Sequence, residues 1–217
     1  MKKLLILTVT FLSLLFFTSF AFAQTNPLLG KVIVLDPGHG GTDFGSTECS
    51  GLPEKEATLD IANRLKPLLE ADGAQVFLTR TDDSTKSNND RYTLANSVNG
   101  EALVSIHLNG STDSSKNGTS GLYGKLNKDK TFTQTVHARL ASELGIPDLG
   151  VTNFASGVLL KSEMPATMQE TVFISNSTEC TKLTNGTGVR QQQIAQSLYN
   201  GLLDWFSQPP PPRKGKH

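Results

Sequence analysis

Apolar positions alternate along the chain between two kinds of pattern. Short β-branched apolar runs predict buried strands, and these runs cover residues 31–35, 75–79, 102–106 and 167–174. Apolar residues three and four apart predict amphipathic helices, which begin at Glu54 and cover residues 91–96, 132–144 and 189–206. Two further short strands are predicted at residues 121–126 and 158–161. This alternation favours a single α/β domain with a twisted, largely parallel central sheet flanked by helices.

Residues 1–23 have the pattern of a cleaved secretory signal. A basic start is followed by an apolar stretch over residues 4–20 and then by Ala21-Phe22-Ala23, which places small residues where a signal peptidase cleaves. The alternative is a membrane anchor, because an apolar stretch of about 17–20 residues is near the lower limit for a spanning helix. The small residues and the lack of flanking charge after them favour cleavage.

The rest of the chain is expected to divide into three parts. Residues 24–30 form a short linker, and residues 31–206 form one folded domain. Residues 207–217 contain four consecutive prolines and a basic end, which predicts a disordered tail. The sequence therefore predicts an exported monomer, periplasmic or extracellular, that does not stay in the membrane once the signal is removed.

Charge and cysteine content narrow the classes of function. Lys and Arg total 20, as do Asp and Glu, so the formal net charge is zero. This balance gives no electrostatic case for a nucleic-acid partner, since such partners usually require a basic surface. Two cysteines, Cys49 and Cys180, are too few for a metal site built on thiolates. In an oxidising compartment they form either one disulfide or two free thiols, and the sequence leaves both possibilities open.

Four ionisable residues lie at or near strand ends, where open α/β sheets bind their ligands. His39 follows the first predicted strand in a glycine-rich loop, and His107 ends a later strand. Glu54 begins the first helix, and Glu170 lies in the last predicted strand. Two histidines and one carboxylate make a three-ligand zinc set with an open fourth position. The other carboxylate would then serve as a general base.

Each of these residues also has a simpler interpretation. A histidine at a strand end is often a structural residue with satisfied hydrogen bonds, and Glu54 could stabilise its helix through the dipole. Glu170 could be an ordinary charge on an edge strand. From residue types and positions alone, the zinc site remains a hypothesis.

Several motifs, in their order along the chain, resemble those of the zinc-dependent N-acetylmuramoyl-L-alanine amidases, the cell-wall amidases often called amidase 3. The matching segments cover the chain from about residue 31 to residue 206. They are VLDPGHGGTDFG at 34–45, Glu54-Lys55, Leu78-Thr79-Arg80 with Asp82, Arg91 with Ala95-Asn96, VSIHLN at 104–109, and Met164-Pro165-Ala166 with Glu170, Phe173 and Ser175-Asn176.

The resemblance implies a role for each of the four residues. It places the metal ligands at His39, Glu54 and His107, with one Zn²⁺ per chain, and the catalytic glutamate at Glu170. The implied reaction is hydrolysis of the amide between N-acetylmuramic acid and L-alanine of the stem peptide, so the implied partner is peptidoglycan. Residues 31–206 would be the zinc amidase domain.

Neighbouring residues are assigned less directly. Asp36, Asp43 and Asn109 either orient the imidazoles through hydrogen bonds or only shape loops and turns. Arg80 and Arg91 are expected to form structural ion pairs rather than to contact substrate. His137 is expected to be structural or exposed.

The sequence departs from the family pattern at one position near the site. Relatives usually carry Gly two residues after the catalytic glutamate, where Val172 stands here, and this change would narrow the pocket or shift the strand. Some relatives also carry an inserted helix that plugs the zinc site. The interval between His107 and Val158 is too short and too rich in Gly and Ser for such a plug, so we expect an open site with no obligatory activator.

Two alternative functions remain at this point. One is a zinc peptidase or deacetylase that acts on another polar wall polymer. The other is a wall-binding module without catalysis, which the presence of all four catalytic-type residues disfavours.

Overall fold

The computed structural model describes residues 26–209. The predicted signal at residues 1–23 and most of the predicted tail therefore lie outside the described residues. Part of the predicted linker is folded into the domain, because Leu28 is fully buried in the core. Within the described range, none of the helices combines the length and the apolar character needed to cross a membrane.

Six strands and six helices make up the described domain. The strands are β1 (Val32–Pro37), β2 (Gln75–Leu78), β3 (Ala102–Asn109), β4 (Thr119–Tyr123), β5 (Asp148–Asn153) and β6 (Ala166–Phe173). The helices are α1 (Glu54–Ala71), α2 (Asn88–Ser97), α3 (Leu126–Glu143), α4 (Gly157–Lys161), α5 (Ser177–Thr184) and α6 (Val189–Ser207).

One sheet holds all six strands in the order β2-β1-β3-β6-β4-β5. Neighbouring strands run parallel, except that β4 and β6 are antiparallel. The predicted α/β domain with a largely parallel sheet is thus confirmed, with one antiparallel pair added. The central position of β1, β3 and β6 matters for function, because these strands carry or precede His39, His107 and Glu170.

Helices cover both faces of the sheet. On one face, α1, α3 and α6 pack on the main core, whose buried side chains include Ile61, Leu65 and Phe132. On the other face, α2 and α4 pack over a smaller core that includes Val34 and Leu103. Because both faces are covered, β1 and β3 begin with continuous apolar runs. β6 is also almost fully buried, although it contains Thr, Gln and Glu besides its apolar residues.

Some predicted elements differ from the structure. Residues 158–161 form part of helix α4, so the predicted strand there is wrong. Val158 and Leu159 are both buried against the smaller core, and one helical turn is enough to bury them. Strand β5 and helix α5 were not predicted at all. Helix α2 begins at Asn88 and α3 at Leu126, each earlier than expected.

Candidate active site

The loop after β1 presents His39 in a fixed orientation. His39 has a positive φ of 61°, an uncommon backbone conformation for a residue with a side chain. The Arg91 guanidinium donates to the His39 carbonyl at 2.7 Å, which holds this backbone in place. His39 Nδ1 lies 2.9 Å from Asp43 Oδ1, and this contact turns Nε2 towards Glu54.

Glu54 is a buried carboxylate at the first position of α1, with 4% of the residue exposed. Its Oε2 accepts a hydrogen bond from the backbone N–H of Ser46 at 2.9 Å, and its Oε1 accepts one from Leu108 at 2.9 Å. The same Oε1 lies 3.1 Å from His39 Nε2 and 3.2 Å from His107 Nδ1. Burial opposes ionisation, but the hydrogen bonds with the two imidazoles outweigh it, so the pKa of Glu54 is lowered.

His107 projects from β3, in the centre of the sheet. Its ring lies edge-on to that of His39, with the ring centroids 4.8 Å apart and the planes at 76°. The ring also passes over the backbone of Gly38, where an added Cβ would lie 2.4 Å from His107 Cε1. Glycine is therefore needed at position 38 to leave space for the imidazole.

His39, Glu54 and His107 form a group that could hold a metal ion. One ligand atom from each residue lies within 4.8 Å of the other two. Tetrahedral zinc with N and O ligands at about 2.0–2.2 Å places those ligand atoms about 3.4 Å apart, close to the observed contacts of 3.1 and 3.2 Å between Glu54 and the two imidazoles. The donor set of two imidazoles and one carboxylate therefore fits zinc.

Glu170 borders the same cavity as His39, Glu54 and His107, and this cavity has a volume of about 390 Å³. It lies on β6 directly opposite His107 in the parallel register. Glu170 is partly buried, and no hydrogen bond or ion pair involves its carboxylate within residues 26–209. Burial raises the pKa of Glu170. The structure thus brings all four sequence-predicted residues to one cavity.

A buried ion pair supports the His39 loop from below. Asp36 accepts hydrogen bonds from Arg91, Thr79 and Ser105 at 2.7, 2.6 and 2.7 Å. Burial raises the pKa of this carboxyl, but the Arg91 guanidinium and the two hydroxyls more than offset that effect and hold the pKa below its usual value. Asp36 therefore acts on His39 only through Arg91, and it does not touch an imidazole.

The other neighbouring residues separate into different roles. Of the three candidates for orienting the imidazoles, Asp43 alone contacts one, since the Asn109 side chain accepts from the Gly110 N–H. The ion-pair expectation is confirmed for Arg91. Arg80 instead donates to backbone carbonyls, including that of Gly38 at 2.9 Å, and no carboxylate in the described part of the chain pairs with it.

Two further expectations concern residues away from the metal group. His137 lies on α3 and is buried, with its Nε2 2.8 Å from Asp148 Oδ1, so it is structural as expected. Val172 is fully buried in the main core and does not border the cavity. The register between β3 and β6 shifts between His107 and Asn109, so the pairing of these two strands is irregular close to Val172.

A disulfide joins Cys49 to Cys180, with the two Cα atoms 5.4 Å apart. This settles the alternative that the sequence left open. Cys49 lies in the loop between Ser46 and Glu54, and Cys180 lies in α5. The bridge therefore anchors the loop whose backbone binds the Glu54 carboxylate.

Several contributors to the site have no signature in the sequence. The backbone N–H groups of Ser46 and Leu108 hold Glu54, and only the fold brings them there. Phe154, which follows β5, borders the cavity although it lies 47 residues after His107 in the chain. Its position could not be inferred without the unpredicted strand β5.

Known proteins are similar in sequence to this chain over most of its length. A family model described as N-acetylmuramoyl-L-alanine amidase matches residues 33–204. The N-acetylmuramoyl-L-alanine amidase LytC of Bacillus subtilis is 35% identical over 192 residues, which are 87% of this chain and 38% of LytC. The probable cell wall amidase LytH of Staphylococcus epidermidis is 36% identical over 187 residues, which are 85% of this chain and 61% of LytH. The chain therefore spans less than two thirds of the length of each of these curated relatives.

Solved structures match the fold closely. The catalytic domain of CwlV, an N-acetylmuramoyl-L-alanine amidase from Bacillus (Paenibacillus) polymyxa, is 30% identical with a TM-score of 0.75, and the match covers 81% of this chain and 97% of that one. An N-acetylmuramoyl-L-alanine amidase from Clostridium difficile is 34% identical with a TM-score of 0.75, covering 81% and 96%. The described domain corresponds to nearly the whole of each of these chains.

Proposed function

The chain belongs to the N-acetylmuramoyl-L-alanine amidase family, and on that premise we propose that it hydrolyses the amide bond between N-acetylmuramic acid and L-alanine in peptidoglycan, with one zinc ion. The observation that carries the proposal is the convergence of His39, Glu54 and His107 within 4.8 Å beside the cavity that Glu170 borders. Three ligands leave one zinc position open to reactants, as catalytic zinc sites require.

The donor set favours zinc over other common metals. Imidazole nitrogens suit zinc, whereas magnesium and calcium prefer sites made of oxygen alone. With one carboxylate among the ligands, the protein contributes one negative charge against two positive charges on the ion. When bound, zinc supplies a Lewis acid that polarises the substrate carbonyl and acidifies water.

Glu170 is the proposed general base and acid. Its carboxylate accepts a proton from the attacking water, and it later donates that proton to the alanine nitrogen as the C–N bond breaks. Partial burial suits this exchange, because a raised pKa makes the carboxyl a stronger base in one step and leaves it able to return the proton in the next.

The remaining residues keep the reacting groups in position. Asp43 holds the imidazole of His39, and the Ser46 and Leu108 N–H groups hold the carboxylate of Glu54. The Asp36–Arg91 pair fixes the carbonyl of His39. These contacts fix the ligands before metal and substrate arrive, so little reorganisation is needed.

We further propose that the enzyme is exported, acts on the cell wall as a monomer, and needs no activator. Curated staphylococcal relatives are named probable cell wall amidase LytH, and residues 1–23 have the pattern of a secretory signal. Between His107 and Val158, the helix present is α3, which packs on α6 and β6 in the main core. Among the described residues that border the cavity, Glu54 alone belongs to a helix, at its first position.

Replacement of Glu170 tests the assigned chemistry. Glu170→Ala is expected to bind zinc like the wild type and to release stem peptides about 10²–10⁴-fold more slowly. The matched control is Glu56→Ala, which replaces an exposed glutamate in the first turn of α1 and should keep wild-type activity. A zinc-loaded Glu170→Ala enzyme with near wild-type release, measured by mass spectrometry of digested muropeptides, would refute the role of Glu170.

A further inference from the structure

Phe154 is an exposed aromatic side chain at the rim of the cavity. It is 48% exposed, yet it borders the same cavity as His39, Glu54, His107 and Glu170. Phe44 is also exposed and near in sequence to the metal group, but it does not border this cavity, and the Lys55 ammonium sits over its ring at 4.1 Å. Phe154 is therefore the aromatic side chain whose exposed face is available to a molecule in the site.

The backbone beneath Phe154 is fixed at several points. Its N–H donates to the Tyr123 carbonyl at 2.9 Å, and its own carbonyl accepts from Ser156 at 3.0 Å. The preceding Asn153 side chain donates to the carbonyls of Tyr123 and Gly124 at 3.0 and 3.1 Å. The backbone that carries the ring is thus fixed at the end of β5, which keeps Phe154 at the rim of the cavity.

The cavity beside Phe154 differs in chemistry from a second cavity on the other side of the imidazoles. His39, His107 and Met168 border both. The second cavity, of about 190 Å³, is lined mainly by polar and charged side chains that include Asp43, Lys86 and Asn88, with Val158 as a further apolar residue. The first cavity is larger, and Phe154 and Leu108 are the apolar residues that border it but not the second, with Ser46 and Asn109 as polar residues.

The two halves of the proposed substrate match these two cavities. A peptide carries an N–H and a carbonyl at each residue and needs polar partners along its length, which the second cavity offers. A pyranose ring has a face of C–H bonds, and such a face packs well on an aromatic ring, whose own face is electron-rich. The wider cavity with Phe154 at its rim suits the sugar.

We propose that Phe154 determines specificity by packing against the muramic acid ring of the substrate. The inference rests on the proposed function, since it assigns one half of that substrate to one wall of the same site. In this assignment Phe154 contacts the saccharide, while Glu170 and the metal ligands lie beside the amide bond that is cleaved.

Two soluble substrates with the same stem peptide test this assignment. One carries N-acetylmuramic acid, and the other carries only the D-lactoyl group in place of the sugar. Phe154→Ala is expected to lower kcat/KM for the muramoyl peptide about 10- to 100-fold, mainly through KM, and to leave the lactoyl peptide unchanged. Phe154→Trp should restore the preference, because it returns an aromatic face. Phe77→Ala, an exposed phenylalanine on the far edge strand β2, is the matched control.

Product inhibition gives a second measurement with the same variants. Free N-acetylmuramic acid should inhibit Phe154→Ala more weakly than the wild type, while inhibition by the free stem peptide should not change. The assignment to the sugar would be overturned if Phe154→Ala lost kcat/KM equally for both substrates, or lost inhibition equally by both products. It would also be overturned if Phe154→Ala kept the wild-type preference for the muramoyl peptide. If wild-type enzyme cleaves neither substrate, the proposed function itself fails.

Discussion

Reduction of the Cys49–Cys180 disulfide should lower the stability of the domain by a large and measurable amount. The bridge joins residues 131 positions apart. A cross-link stabilises mainly by reducing the conformational entropy of the unfolded chain, and the effect grows with the logarithm of the loop length. Because the disulfide closes a long loop, we expect its reduction to lower the free energy of unfolding by a large amount.

The expected size follows from that loop length. For a loop of 131 residues, the chain-entropy relation gives about 5 kcal/mol at 25 °C. A domain of this size loses about 2–4 °C in Tm for each kcal/mol, so reduction should lower Tm by about 10–20 °C.

Calorimetry with and without a reductant measures the change directly. The double variant Cys49→Ala/Cys180→Ala should melt near the reduced wild type and should not respond to reductant. Thiol titration of the unfolded wild type before and after reduction shows whether the bridge was present. If reduction exposes two thiols but Tm falls by less than about 3 °C, the entropic argument for this bridge is refuted.

Two further predictions concern residues that position His39. Asp36→Asn should destabilise the domain by about 3–5 kcal/mol at neutral pH, because it leaves the buried Arg91 guanidinium without its counter-charge. Because the pKa of Asp36 is lowered in the folded state, the carboxylate stabilises the domain fully above its unfolded pKa of about 3.9, and this effect is lost as pH falls towards the folded pKa. In urea unfolding, the difference in free energy of unfolding between wild type and variant should therefore narrow as pH drops from 7 to 3. A constant difference would contradict this. Asp43→Ala should weaken zinc binding about 10- to 100-fold without a large change in Tm, since Asp43 orients the His39 ring. Competition with a chromophoric chelator measures this affinity, and an unchanged value would remove Asp43 from the ligand support.

Much of the fold could be predicted because its central strands are buried on both faces. Strands buried on both faces are rich in apolar residues, so the runs at residues 32–35 and 102–104 make β1 and β3 evident in the sequence. β6 mixes Gln and Glu with Thr, Val and Phe, and these last three favour a strand. The edge strand β5 is mostly exposed and contains Asp, Gly and Asn, which do not distinguish it from a loop. Helix α5 has only one strongly apolar buried side chain, Leu183, so it has no apolar stripe to detect.

The wrong strand at residues 158–161 has a different cause. Three adjacent apolar residues, Val158 to Leu160, fit a short strand and a single helical turn equally well. The smaller core decides between them, because α4 packs beside α2 and β6 there. Tertiary packing of this kind cannot be read from so short a segment.

The side chains of the site were easier to predict than their supports. His39, Glu54, His107 and Glu170 occur in ordered motifs, and the fold brings them to one cavity. The contacts that hold Glu54 are backbone N–H groups, which every residue except proline possesses, so no residue type indicates them. Phe154 reaches the rim only because β5 adds to the sheet beside β4.

The central claim is zinc-dependent cleavage of the bond between muramic acid and L-alanine. Its most direct test is digestion of purified peptidoglycan by the zinc-loaded enzyme, by enzyme stripped with a chelator, and by stripped enzyme given zinc again, with mass spectrometry of the products. Stem peptides with a free amino group on L-alanine should appear with the first and third enzymes and should be absent with the second. Equal release by the stripped enzyme, or cleavage at a different bond, would contradict the claim.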